Sequence, residues 1–590
     1  MSAVFRHERK KAVVKNVPKA AEKDRQNFVG LLTSRMRNLK VPTAAGDSLF
    51  DTEKFGWWHS RLSASAIARL ENGMEGFFRR SILALMPAVA IGVEFDEEIG
   101  CPTKELFAMC GLLLWAEFHS WSVDETADAF AFNAAIQFAL NLPPDRQYLC
   151  PRTVDNYRRL FRKNEVAQGV FESVTAHIVA ELELNIRKQR LDSTHVLSNM
   201  AKFGRLKLLA VCVHRFFVQL KKHRAPVYEA LPAELRGRYD HAESRLFFAG
   251  KKRAETERAS VYAEQLAQVG EDLGTLIAEF GEDSSIARWE TFAALTRVFG
   301  EHFELSEDRI ELRPKSEDEN GESARTLQNP SDLGASYDGH KGAGYKVQLS
   351  QAYDHGEEAP GIITACVPQT AADADSASLG AVHEQQKRMG TLPAAQLADT
   401  AYGSQANVEL AAQNGVALEA PVPGQKPIKR EPATNAPQTA NEARRAKQES
   451  DEWKQEYAAR SGGEGLNATL KNQHGMRRLR VRGDEAVKTS IYLKVAGWNV
   501  QTAVKIIHSR RRRAARAVAA ALPTAAAPHH GANRSGRDGN SQEIPTRRRI
   551  MRRGSVIFQA ALSLRNFRKC VFAPVSIKEG MRWTPFFGQS

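Results

Sequence analysis

Residues 451–476 read DEWKQEYAARSGGEGLNATLKNQHGM, and the rest of the chain is organised around this stretch. On a helix, at about 100° per residue, Tyr457, Arg460, Glu464 and Lys471 stand at i, i+3, i+7 and i+14 and fall within roughly 60° of one another. A carboxylate, a guanidinium, an ammonium and a phenol on one stripe make a poor core face, because buried charges are costly unless each is paired. They suit a phosphodiester. Glu464 can hold a divalent cation through hard oxygen ligands, Arg460 and Lys471 can clamp phosphate oxygens, and Tyr457 can hydrogen-bond to a phosphate. The same stripe is equally compatible with a solvated helix carrying i,i+3 and i,i+4 pairs. Gly462, Gly463 and Gly465 weaken such a helix by about 1 kcal/mol each, unless a backbone or a DNA strand must come close there.

The spacing Tyr-x2-Arg-x3-Glu-x6-Lys, followed by GMRRLRVRG at 475–483, resembles the signature around the last carboxylate of bacterial insertion-sequence transposases of the DDE class. Within that class the resemblance is to the IS-four-like superfamily with the Tyr-Arg-Glu-Lys signature, in the IS-eleven-eighty-two type branch that has an N-terminal helical domain. It asks for an Asp at the end of a first strand and another just after a fourth. RLDSTHV at 190–196 supplies Asp192, after a strand expected over Asn185–Leu191, although that segment is more charged than a central strand usually is. PAAQLADTAYG at 393–403 supplies Asp399 after a short apolar strand. QNPSD at 328–332 and YDGHK at 337–341 also resemble the family and would bring His340 and Lys341 near the site. Turn chemistry accounts for the Gly and Asp there equally well.

The resemblance implies an α/β fold: an RNase H-like mixed-sheet catalytic core with a helical insertion, preceded by an all-α N-terminal domain. Asp192, Asp399 and Glu464 would be the catalytic carboxylates, holding two Mg2+ ions, with Mn2+ as a substitute, roughly 3.5–4 Å apart. Tyr457, Arg460 and Lys471 would bind DNA phosphates. The implied activity is cleavage at element ends and transfer of the freed 3′-hydroxyl. The implied partners are double-stranded DNA, as terminal inverted repeats and as target, and a second copy of the chain in a homodimer on paired ends. Two rivals stay open: an RNase H-like metal-dependent nuclease without strand transfer, and a catalytically inert DNA-binding regulator derived from a transposase.

A chain of 590 residues has room for three or four domains, and its 42% hydrophobic and 26% charged residues are those of a globular protein. The longest apolar run, Ile82 to Val93, is shorter than the about 20 residues of a membrane span, and the N-terminus lacks a signal-peptide pattern. The expected location is the cytoplasm, with no membrane partner. Cys101, Cys110, Cys150, Cys212, Cys366 and Cys570 show neither Cys-x2-Cys pairs nor zinc spacing, so neither a disulfide framework nor a zinc finger is expected. Of the net charge of +14, all sits at the end: from Arg510 onward 17 Lys or Arg stand against three acids. The body must therefore meet any polyanion through local patches rather than through its total field.

Taken in order, residues 1–47 form a basic arm and 48–185 a helical, DNA-binding domain. Ser122 and Glu125 have the form of a capping box opening a helix over Val123–Phe132. A second helix, Thr153–Asn164, follows Pro151. Arg152, Arg158, Arg159, Arg162 and Lys163 make its surroundings basic and are candidate DNA contacts, although the linker between the two helices is longer than a helix-turn-helix allows. Trp57 and Trp58 are expected in the core. The catalytic domain spans 186–509. It has a helical insertion over about 199–314, a hairpin of Tyr345–Ala352 with Gly361–Val367 whose first strand shows period-two alternation, a helix Ala371–Met389, and strands at 393–399 and 416–422 around a helix Gln405–Ala412. A linker runs from 424 to 447, an amphipathic helix Ala486–Ile507 should pack on the sheet, and 510–590 is a basic, low-complexity tail.

Overall fold

The computed structural model describes residues 58, 61–95, 103–142, 147–240, 255–306, 309–313, 323–354, 361–424 and 440–521. The basic arm, Trp57, most of the 424–447 linker and the tail beyond 521 lie outside them. Eight strands are present among these residues: β1 (Lys188–Val196), β2 (Phe303–Ser306), β3 (Arg309–Leu312), β4 (Ser336–Asp338), β5 (Gly342–Ala352), β6 (Ile363–Thr370), β7 (Ala395–Leu397) and β8 (Ala417–Glu419). β1 is the centre of a six-stranded mixed sheet. It runs antiparallel to β5 and parallel to β7. β5 in turn pairs antiparallel with β6 and, at its first residues, with β4, while β7 pairs parallel with β8. Antiparallel strands on one side of β1 and parallel ones on the other are compatible with an RNase H-like core.

The first strand begins and ends later than its sequence suggests, at 188–196 instead of 185–191, so Asp192 lies in its middle. The reason is the partner strand. β5 pairs with β1 without a break from Gln189 opposite Ala352 to Val196 opposite Tyr345. The polar residues at the start of β1 are tolerated because their side chains are bonded. The fully buried Gln189 donates its amide to the carbonyls of Ile186 and Thr391, and its oxygen accepts from Ser350, Thr364 and Gln386. Arg190 donates through Nε and Nη2 to Gln351. A buried amide costs free energy only when its bonds are missing.

Helices enclose the sheet. Twelve of the 14 residues of Leu106–His119 are buried, so this helix is apolar on every side and belongs to the interior. Its hydrophobic cluster continues through Val154, Phe161, Phe171 and Val174 to Tyr345, Leu349 and Cys366 of the sheet and Ile491, Val495 and Val500 of the long helix Asp484–Ala521. Asn499 on that helix is wholly buried, donating to Thr175 Oγ1 at 2.9 Å and Ile363 O at 2.8 Å and accepting from Ile363 N. It thereby satisfies the start of β6, beside the irregularity at Ser350/Gln351. The helix Val123–Phe132 opens with the capping box read from Ser122 and Glu125. Trp58 is buried against Phe138. Between β1 and β4 the chain forms the helices Arg205–His223, Glu255–Phe280 and Glu290–His302 with shorter ones, around a separate apolar cluster that includes Leu209, Phe216, Leu273 and Leu295. The β2–β3 hairpin, which lacks a clear alternation, completes this insertion. Among the described residues no helix is long and apolar enough to cross a membrane.

A Cβ at Gly497 would lie 2.6 Å from Cγ of Phe118, so the two central helices touch only because this position has no side chain. Gly497→Val should destabilise the fold by about 1–3 kcal/mol through overpacking, measured as a lower denaturation midpoint at unchanged slope.

Candidate active site

Arg190 of β1 lies opposite Leu397 of β7 in parallel register. Two residues further along the chain from this pair come Asp192, still within β1, and Asp399, just past the end of β7, close enough for the charge of Asp399 to act on Asp192. β7 ends at Leu397, and Asp399 caps the tight turn Thr400–Tyr402 by accepting from Ala401 N at 2.9 Å. Asp192 stays within β1. Its Oδ1 accepts from Ser193 N at 3.0 Å and its Oδ2 from Asn467 Nδ2 at 3.0 Å.

The signature segment crosses this face, but as two helices and not one. Asp451–Ala458 ends in a tight turn, Ala459–Ser461, before Gly462–Gln473 resumes. Arg190 accounts for the change of pitch: its Nη1 donates to Ala459 O at 2.9 Å, and its guanidinium occupies the place a Cβ on Gly462 would need. Gly463 is buried, and a Cβ there would sit 3.5 Å from that of Asp192. These two glycines let the helix come down onto β1, whereas Gly465 faces open space.

Each member of the stripe has a definite place. Tyr457 donates its hydroxyl to Ala398 O at 3.0 Å, which ties the helix to the residue before Asp399. Arg460 lies between carboxylates, 3.2 Å from Glu464 and 3.9 Å from Asp192. Glu464 is largely exposed and turned towards Arg460. Lys471 is half-buried; burial lowers its pKa, as do the charges of Lys341 and Arg477, while Asp192 opposes the shift. The carboxyl of Asp192 is raised above the ordinary Asp range by burial, with Asp399 and Glu464 adding to the shift and Arg460 opposing it. Asp399 is raised as well, by burial and by Asp375, against the bond from Ala401 N and the charge of Arg460.

The remaining sequence candidates are spread over two further elements. His340 and Lys341 are exposed on the β4–β5 turn, where both backbone amides donate to Asp338 Oδ1. The basic helix runs from Pro151 to Lys163. There Arg158 donates to Trp121 O and pairs with Glu117, Arg162 donates to Arg158 O, and Lys163 pairs with Glu94. Arg152 and Arg159 are exposed.

Two functional-looking residues escaped the sequence reading. Asn467 shares the stripe, three residues after Glu464 and four before Lys471, so extending the same periodicity would have found it. Asp375 sits on the opposite face from Asp192. It accepts from Ser193 Oγ at 2.9 Å, Lys346 Nζ at 3.1 Å and Gln348 Nε2 at 2.9 Å, and Gln348 also accepts from Tyr402 in the turn after Asp399. No local pattern marks it.

Among the described residues no group of three or more His, Cys, Asp or Glu side chains is already arranged around a point that a metal ion would fill. The donor chemistry nevertheless fits a hard cation. The half-buried Asp192 feels the charge of the half-buried Asp399, and the cation shared by Asp192 and Glu464 is the guanidinium of Arg460.

Residues 425–504 match the family model described as "Transposase DDE domain". The matched span holds Tyr457, Arg460, Glu464 and Lys471 but neither Asp192 nor Asp399, and it supports a DDE transposase. The searches of curated proteins and of solved structures returned no match.

Burial pushes the carboxyl of Asp375 up, but the bonds from Gln348, Lys346 and Ser193 outweigh it and leave its pKa below the usual value. A carboxyl depressed by folding stabilises the protein above its unfolded pKa of about 3.9, and that contribution disappears as the pH falls through the folded value. Urea unfolding of wild type should therefore show a steeper loss of stability below about pH 4 than Asp375→Asn, which should be less stable at pH 7 and flatter in acid.

Proposed function

We propose that the chain is a DNA transposase of an insertion sequence, of the IS-four-like superfamily with the Tyr-Arg-Glu-Lys signature and its IS-eleven-eighty-two type branch. In this role it binds element ends, cleaves a strand and joins the resulting 3′-hydroxyl to target DNA. The observation that supports this reading is the parallel pairing of β1, which carries Asp192, with β7, which ends two residues before Asp399, together with the signature segment whose Arg460 lies 3.9 Å from Asp192. The transposase-domain match over that helix supports it.

Asp192, Asp399 and Glu464 would hold the metal, Glu464 exchanging Arg460 for it. Two Mg2+ ions bound there, or Mn2+ in their place, would lower the pKa of an attacking water or 3′-hydroxyl and steady the leaving oxygen. The protein's own contribution is orientation. Ser193 N and Asn467 fix the two oxygens of Asp192, and the Ala401 amide fixes Asp399. Tyr457 keeps the Glu464 helix in place through Ala398, and its hydroxyl would meet a phosphate beside Arg460 and Lys471. Arg460, released from Glu464, and Lys471, beside Lys341, can meet the non-bridging phosphate oxygens and offset the charge that grows in the transition state. His340 and Lys341 stand where the DNA flank would pass, and Arg152, Arg158, Arg159, Arg162 and Lys163 belong to a second contact surface for the inverted repeat. Homodimerisation on paired ends belongs to the same proposal.

Asp192→Asn, Asp399→Asn and Glu464→Gln should each reduce divalent-metal-dependent nicking of a labelled element end by about 10³-fold or more, a barrier change of roughly 4 kcal/mol. Normal cutting by all three would overturn the assignment. Supplying a pre-cut 3′-hydroxyl end separates the rivals, since cutting without joining identifies a nuclease, and binding without either identifies an inert regulator. Arg460→Ala should weaken cleavage while leaving metal binding, measured by calorimetry, in place.

A further inference from the structure

Directly after the Glu464 helix, the segment Arg477–Arg482 is sewn to the end of β1. Leu197 N donates to Arg477 O at 3.2 Å, Leu479 N to Leu197 O at 2.8 Å and Asn199 N to Val481 O at 2.8 Å, with a parallel bridge between Leu197 and Arg478. Leu479 is buried as the anchor, and Arg477, Arg478, Arg480 and Arg482 are exposed. Between this segment and the helices Leu106–His119 and Pro151–Lys163 lie two cavities of about 440 and 250 Å3. They share Glu117, Val123, Arg158, Arg480 and Val481 as lining and so form one groove.

We infer that this groove, lined by Arg478, Arg480, Arg158, Arg162 and Lys494, holds the phosphate backbone of duplex DNA about five base pairs from the phosphate addressed by Asp192 and Asp399. Five cations line it against two carboxylates, Glu117 and Asp155. Glu117 is already engaged, by Arg158 at 3.8 Å and by the hydroxyl of Ser490. Arg480 reaches Glu125 at 3.5 Å, but both side chains are more than half exposed, and such a pair is worth little and yields readily to another anion. Lys494 is buried at the floor, donating to Glu117 O and to Ser120 Oγ. Burial brings its pKa down to about 8, Glu117 opposes this, and Arg480 and Arg158 lower it further, as expected where positive charge is in surplus. The position is that of a duplex laid along β1. Leu197 is five residues beyond Asp192, roughly 16 Å at about 3.3 Å per residue, and a duplex advances 3.4 Å per base pair.

The distance from the cut rests on the function proposed above; the binding of duplex by the groove does not. The test is fluorescence anisotropy of full-length protein with a labelled 30-base-pair element end over a series of salt concentrations, comparing wild type with the double variant Arg478→Ala/Arg480→Ala. Both residues are exposed, so the variant should unfold at the wild-type midpoint. Losing two phosphate contacts should weaken binding and lower the slope of log Kd against log salt by about two. Ethylation interference should in addition lose protection about five base pairs from the nick. Unchanged affinity and slope would overturn the groove, as would displacement of the duplex by millimolar inorganic phosphate or mononucleotide alone. If wild type binds through the groove but nicks nothing, the groove stands and the transposase reading falls.

Discussion

Two partly buried carboxylates, Asp192 within β1 and Asp399 in the turn that closes the parallel strand β7, are the constraint around which this structure is arranged. Asp192 cannot swing away, because β1 is bound to β5 along its whole length. Asp399 cannot, because it caps the turn that follows β7. Burial holds both pKa values up, with the charge of Asp399 adding to the shift of Asp192 and that of Asp375 to the shift of Asp399, and Arg460 relieves only part of it. Carboxylates whose pKa values are raised by burial and by neighbouring like charges are what a functional site commonly contains.

Holding them there requires support from both faces. On one, Asn467, Gly463 and Tyr457 lower the signature helix onto the strand ends, and Arg190 reaches under it to take a carbonyl out of the helical ladder. On the other, Asp375 gathers Ser193, Lys346 and Gln348 beneath the sheet, and Gln348 passes the connection to Tyr402 behind Asp399. The buried polar chain continues through Gln189, Ser350, Gln386, Gln396 and His383. Such a network favours one geometry, since a shift would break bonds between buried groups. The apolar cluster around the helices Leu106–His119 and Asp484–Ala521 packs along β5 from Tyr345 to Leu349 and along β6 from Ile363 to Cys366, and includes Leu466 and Leu470 of the Glu464 helix.

Legibility varied with the range of the interaction that decides each feature. Helices such as Glu255–Phe280 and the capping box at Ser122 were readable because their determinants lie within a few residues of one another. The β5–β6 hairpin was readable from local alternation in β5 and the connection length. The limits of β1 were not, since its polar residues look misplaced until Ser350, Thr364 and Gln386 arrive from more than 150 positions away. The break at Ala459–Ser461 was hidden for the same reason: the side chain responsible belongs to β1.

Short-range periodicity and motif are enough to mark the amphipathic and capped helices, the hairpin, the stripe of Tyr457, Arg460, Glu464 and Lys471, and the candidacy of Asp192 and Asp399. Only the tertiary structure decided that the two aspartates are neighbours, that Tyr457 serves the backbone of Ala398, that Asn467 and Asp375 belong to the site, and that the arginines after residue 476 line a groove. Those facts depend on strand register and on side chains meeting across hundreds of residues, and hydrogen bonding and burial at such separations leave no mark on local composition.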